Sequence, residues 1–147
     1  MGVNTRPNAV TPIMPENTAV PSVWRSSAPA PIAQTSGMTR AAAISGPLTG
    51  SQSLWMGTTV MAPAASSGDH HHGASETGIY VVSGHPAFVF RGPGESGLTR
   101  LEAGPGDFVW VPPHVPHREE NASPDTEAIV VIARSTQEAI VVSVDGL

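Results

Sequence analysis

Three of the chain's six histidines are consecutive, in Asp69-His70-His71-His72-Gly73. In an extended strand residues i and i+2 share a face, so His70 and His72 project together and His71 points the other way. Glu76 follows four residues after His72, near enough for its carboxylate to fold back toward the same centre. Imidazoles and a carboxylate on one side suit iron, manganese, nickel, copper or zinc, at donor distances of about 2.0–2.2 Å. With no cysteine anywhere, nitrogen and oxygen are the donors available. A further imidazole stands in the second half, in Pro112-Pro113-His114-Val115-Pro116-His117-Arg118-Glu119-Glu120-Asn121. His117 lies in a β-type stretch after a double-proline turn, from which a neighbouring strand can deliver it to the first group. A purification-tag remnant and a plain surface patch compete for the triplet. Its internal position, between Gly68-Asp69 and Gly73-Ala74, makes a poor tag.

Other side chains have weaker claims. His114, three residues before His117, is a candidate acid–base group at a pocket rim, although an ordinary loop histidine fits the position as well. Tyr80 and Trp110 are candidate pocket residues, against the usual fate of strand aromatics as core. Glu119 and Glu120 beside Arg118 read as a solvated charge cluster.

The elements that must hold these residues are short. From Met38 onward, β-type runs alternate with turns: Met38–Ile44, Ser53–Ala62, His70–His72, Gly78–Val82, Ala87–Phe90, Leu98–Leu101, Phe108–Val111, Val115–Glu119, Glu127–Ala133 and Ala139–Val144. Gly46-Pro47, Gly84-His85-Pro86, Gly92-Pro93-Gly94, Gly104-Pro105-Gly106 and Pro112-Pro113 stand among the turns between them. Strands of this length and spacing predict an all-β sandwich or barrel. No segment sustains a 3.6-residue apolar period, and 15 prolines with 15 glycines exclude a helical bundle. Residues 1–36 form a proline-rich arm ahead of a domain at 37–147. The arm carries Ile13, Val20, Val23, Trp24 and Ile32, too apolar for a purely solvated linker, with Trp24 the natural anchor.

Composition narrows the function classes. At 147 residues the chain fits one domain. A net charge of -5 argues against an electrostatic nucleic-acid binder. All seven basic residues are arginine, which excludes a lysine Schiff base and a lysine-bearing phosphate loop. The start of the chain lacks the apolar stretch of a secretory signal, and the longest aliphatic run, Ala128 to Ala133, is too short to span a bilayer. A soluble cytoplasmic protein without membrane partners is the expectation.

At its histidines the sequence resembles the cupin superfamily. The first cupin motif places a glycine six residues before a His-x-His pair, then a glutamate, then a glycine after the next strand. Here it becomes Ala64, His70, His72, Glu76 and Gly84. The second motif becomes Gly106, Pro112, His114 in place of a glycine, His117 and Asn121. Ala64 also replaces a glycine, a small matter if its φ is negative, and the interval from Glu76 to Gly84 is one residue longer than usual. The resemblance covers roughly residues 50–145 and implies an antiparallel jelly roll. It also implies one divalent transition metal on His70, His72, Glu76 and His117, with iron or manganese preferred and zinc, nickel or copper compatible. In this family the glutamate either binds the metal or acts as a base, so Glu76 carries both expectations.

The expected function is that of a monocupin enzyme acting on a small oxygenated molecule, by dioxygenase-type or Lewis-acid isomerase or cyclase chemistry. The alternative is a non-catalytic small-ligand binder or sensor. A homodimer assisted by the arm is also expected. Open sheet edges need covering, only 13% of residues are charged, and cupins often dimerise.

Overall fold

Three seven-residue segments bury every second side chain, and these become the central strands. A computed structural model describes residues 20–32, 35–137 and 139–147. Its strands are β1 (Ala30–Pro31), β2 (Met38–Ile44), β3 (Trp55–Met61), β4 (His70–His71), β5 (Thr77–Ser83), β6 (Ala87–Phe90), β7 (Thr99–Glu102), β8 (Phe108–Val111), β9 (His117–Glu120), β10 (Ala128–Arg134) and β11 (Val142–Ser143). One helical turn, α1 (Gly46–Thr49), follows β2. Its first turn is capped by the Ser45 hydroxyl, which accepts from the Leu48 amide.

The strands form two sheets in the orders β1-β2-β3-β10-β5-β8 and β11-β4-β9-β6-β7. All the pairings are antiparallel. The two layers face one another as a jelly-roll sandwich. In β3, β5 and β10 every second side chain is buried, which turns one face of the larger sheet inward. Trp55, Ile79, Val81, Phe88, Val111, Val130 and Ile132 fill the centre of the sandwich. A second cluster, Met38, Met61, Ala65 and Ala128, closes one end.

Two devices fix how the layers meet. Asn121, 1% exposed, donates its amide to the carbonyls of Met61, Ala62 and Thr126 at 3.1, 3.1 and 2.8 Å. That ties the segment after β9 to the end of β3. Gly84 adopts φ +78°, and a Cβ there would lie 2.7 Å from the Ala128 backbone, so only glycine lets the chain leave β5 at this point. Ala64 and His114, the two residues that stand for motif glycines, also have positive φ, at 59° and 61°. The tolerance expected for Ala64 under a negative φ therefore does not apply.

The arm lies over the domain from residue 20 onward; Ile13 falls outside the described residues. The Ser27 amide donates to the Ala42 carbonyl at 2.7 Å, and β1 pairs with β2. Trp24 sits beside Ile44, Met56 and Val131, half exposed, with its indole N–H on the Ser22 hydroxyl. Val20 and Val23 stay exposed. No helix among the described residues is long and apolar enough to cross a membrane.

Candidate metal centre

His70 opens β4 and lies directly across from His117, the first residue of β9. Cross-strand partners share a face, so both imidazoles enter the sandwich. His72 follows just beyond β4, with its ring centroid 4.8 Å from that of His70 and 5.0 Å from that of His117. The His70 and His117 rings are 4.6 Å apart. Glu119, two residues after His117 on the same strand, turns its carboxylate to the same point. Ligand atoms from His70, His72, His117 and Glu119 all lie within 4.8 Å of one another.

The backbone selects which nitrogen faces inward. Nδ1 of His70, His72 and His117 sits 2.8, 2.9 and 3.0 Å from the carbonyls of Gly68, Ile140 and Val115. A carbonyl only accepts, so each Nδ1 carries the proton and each neutral ring presents the Nε2 lone pair. Nε2 of His117 is buried without a hydrogen-bond partner, its approach to Glu119 Oε1 being 3.7 Å. An orphaned, buried, lone-pair-bearing nitrogen among two more imidazoles and a carboxylate fits a divalent transition metal.

Electrostatics agree with that donor set. Burial pushes His72 down to about 4, against the opposing pull of the Ile140 carbonyl and of Glu119, so its ring is neutral at pH 7. Burial also works to lower His117, but the adjacent Glu119 outweighs it and the pKa is raised. Burial alone would raise Glu119; the three histidines, His117 foremost, hold it below its usual value and keep the carboxylate ionised.

The structure brings together His70, His72 and His117, but it does not bring Glu76. β5 begins at Thr77, whose side chain faces inward at 2% exposure, so Glu76 one residue earlier faces out. Its backbone is clamped on both sides of Ser135, and its Oε1 accepts from the Trp110 indole at 2.7 Å. Neither the ligand role nor the base role expected of Glu76 is supported by this position. Glu119, read as part of a solvated cluster, supplies the carboxylate instead. Two signals point to this exchange. Counting from Thr77 removes the extra residue in the interval to Gly84, and strand parity places Glu119 on the face of His117. Arg118 and Glu120 do form the surface charge cluster, together with Asp69 and Arg100.

His71 takes no part: its Nδ1 accepts from the Gly73 amide, and its ring stands 6.0 Å from that of His114. Trp110 and His114 line an apolar cavity of about 530 Å³ that reaches His117, with Phe88, Phe90 and Val109 in its wall. Tyr80 is not in that wall; it packs on Phe108 on the outer face of the larger sheet. On the other side of the cluster, His70, His72, Glu119 and Thr77 line a small chamber of about 40 Å³.

No curated protein sequence matches the chain. Among solved structures it is similar to the polyketide cyclase RemF from Streptomyces resistomycificus, at 22% identity and TM-score 0.64, over 76% of this chain and 73% of that one. It is also similar to an oxalate oxidase in complex with glycolate, at 18% identity and TM-score 0.62, over 74% of this chain and 55% of that one. A third is the oxalate decarboxylase of Bacillus subtilis, described for its Mn(II) centres, at 16% identity and TM-score 0.63, over 76% and 29%. At these identities the likeness is one of fold. The family model described as "Cupin domain" matches residues 57–133, more than half of the chain and the whole stretch that carries the four donors. The histidine spacing, the two-layered sandwich and that match agree, and the chain belongs to the cupin superfamily.

Proposed function

We propose that the chain is a metal-dependent enzyme acting on a small oxygenated organic molecule, by dioxygenase-type chemistry or by Lewis-acid-assisted isomerisation or cyclisation. The observation that carries this reading is the buried set of three imidazoles whose Nδ1 protons are all engaged by carbonyls, with Glu119 completing it. Such second-sphere bonds orient ligands and raise their basicity, an arrangement a plain histidine patch does not need. RemF is a cyclase, and oxalate oxidase and oxalate decarboxylase are named for reactions at a small oxygenated acid. Manganese or iron is the preferred ion, with zinc, nickel or copper compatible with the same donors.

A bound divalent ion would supply Lewis acidity toward a carbonyl or enolate and, where redox-active, electrons for dioxygen chemistry. The chain's own part is to hold that ion and shape what reaches it. As ligands His70, His72 and His117 would each offer an uncharged Nε2, and Glu119 would contribute the one negative charge. The cavity bounded by Phe88, Phe90, Val109 and Val111 offers a largely apolar wall to a carbon skeleton. His114 stands exposed on its rim. Activity separates the branches. The manganese- or iron-loaded chain should either consume dioxygen with an enol, diketone or catechol, or convert its substrate under strict anaerobiosis. Saturable binding without turnover in both conditions would assign a ligand-binding or sensor role instead.

A further inference from the structure

Among the described residues, the buried side-chain atoms left without a hydrogen-bond partner, apart from His117 Nε2, are Arg40 Nε, Arg134 Nε, Thr59 Oγ1 and Thr77 Oγ1. All four lie on the inward face of four adjacent strands. In the sheet register Arg40 stands beside Thr59, while Arg134 stands between Trp55 and Thr77. The two guanidinium groups flank the Trp55 ring, 5.5 and 4.1 Å from its centroid. Gly57 makes room for that ring, since a Cβ there would come within 2.6 Å of it. Stacking on an indole holds a guanidinium in place but satisfies none of its N–H donors.

Arg134 is 7% exposed, and among the described residues neither arginine forms a hydrogen bond or an ion pair. The carboxylate that acts on Arg40 is Glu119, already committed to the histidines, whereas the charge acting on Arg134 is Arg40 itself. Burial and that repulsion lower Arg134 only to about 10, so both groups are cationic at neutral pH. Two partly or fully buried like charges with no ion-pair partner among the described residues are costly unless an anion joins them.

We propose that Arg40 and Arg134, with Thr77, form a subsite for the carboxylate of a small organic acid beside the metal donors. It rests on the proposed function for its neighbour, the metal, and goes beyond it by giving the substrate a charge. Both arginines line the same chamber as His70, His72 and Glu119. About 40 Å³ suits a planar carboxylate, the group whose two oxygens match the paired donors of a guanidinium. Ile32, Arg40 and Val141 also border an outer recess of about 490 Å³, rimmed by Ser27, Ala28, Ala30 and Pro31. The arm therefore borders the recess beside Arg40.

Calorimetric titration of the full-length chain with malonate, at fixed ionic strength, tests the subsite, with malonamide as its uncharged counterpart. Stripping the metal with chelator first isolates the arginines from any malonate–metal contact. Malonate should bind saturably and malonamide should not. Arg40→Gln should weaken malonate at least tenfold, with Arg40→Lys in between, while metal content stays at the wild-type level. If Arg134→Gln does not fold, Arg40→Gln and the wild-type malonate/malonamide contrast still decide. Equal binding of the two probes, or malonate binding indifferent to Arg40→Gln, overturns the proposal. Tighter binding of inorganic phosphate than of malonate overturns the choice of carboxylate. Failure to take up metal while malonate binding persists would instead refute the metal reading and leave the subsite standing.

Discussion

An imidazole ligates only through a nitrogen free of its proton, and here three backbone carbonyls decide which nitrogen that is. The same burial makes the metal-free chain sensitive to acid. His72 has a folded pKa of about 4, below the ordinary value of 6.5, so the unfolded chain binds more protons between those limits. Stability from His72 is therefore complete above pH 6.5 and is lost as the pH falls toward 4. His117 has the opposite sign: its raised pKa stabilises below 6.5, and that stability is lost as the pH rises. His72→Gln should accordingly reduce the acid loss of the chelated protein by about 1–3 kcal/mol. Urea midpoints at pH 7 and pH 4.5 for both proteins measure this, and identical pH dependence would refute it. Asn121 is a second residue with a large expected effect. Asn121→Leu removes the side-chain donor to the Met61, Ala62 and Thr126 carbonyls and the acceptor of the Ser123 amide. A loss of at least about 2 kcal/mol should appear in the same unfolding curves.

Turns, more than strands, carry the departures from the family pattern. Ala64 and His114 occupy left-handed backbone where the motif has glycine, and a side chain there costs about 1 kcal/mol. Ala64→Gly and His114→Gly should each raise the melting temperature by about 2–4 °C, and a fall in either would show that the side chain is needed. The strands were the legible part of the sequence, because short β-type runs bounded by Gly and Pro turns leave little choice. Met38–Ile44, Ala87–Phe90 and Phe108–Val111 have the ends that the pattern predicts. Isolated two-residue pairings and single turns carry no period. Thus β1 and α1 went unread, and the expected Ala139–Val144 strand shrinks to Val142–Ser143. Of the site, His70 and His72 follow from strand spacing, while His117 rests on the resemblance to the second cupin motif. The carboxylate follows from neither, because choosing between Glu76 and Glu119 depends on where β5 begins, and a one-residue shift reverses the face.

At the scale of the whole molecule, the larger sheet turns an apolar outer face to solvent. Phe108 and Trp110 are 81% and 64% exposed on its edge strand β8, with Tyr80 alongside. We propose that a second copy covers this face and that the arm contributes to the homodimer, since Trp24 already leans on Met56 and Val131 of the same sheet. Light scattering should give a dimer mass for the full chain and a lower mass and melting temperature after removal of residues 1–36. Unchanged mass and melting temperature would end that proposal. The central claim, however, is the metal centre, and elemental analysis of the chain purified without chelator or metal-affinity resin tests it most directly. Wild type and Glu76→Ala should each carry roughly one divalent transition ion per chain. His117→Ala should lose it, and Glu119→Ala should retain it poorly. Background metal in the wild type, or loss in Glu76→Ala with full retention in Glu119→Ala, would contradict the account.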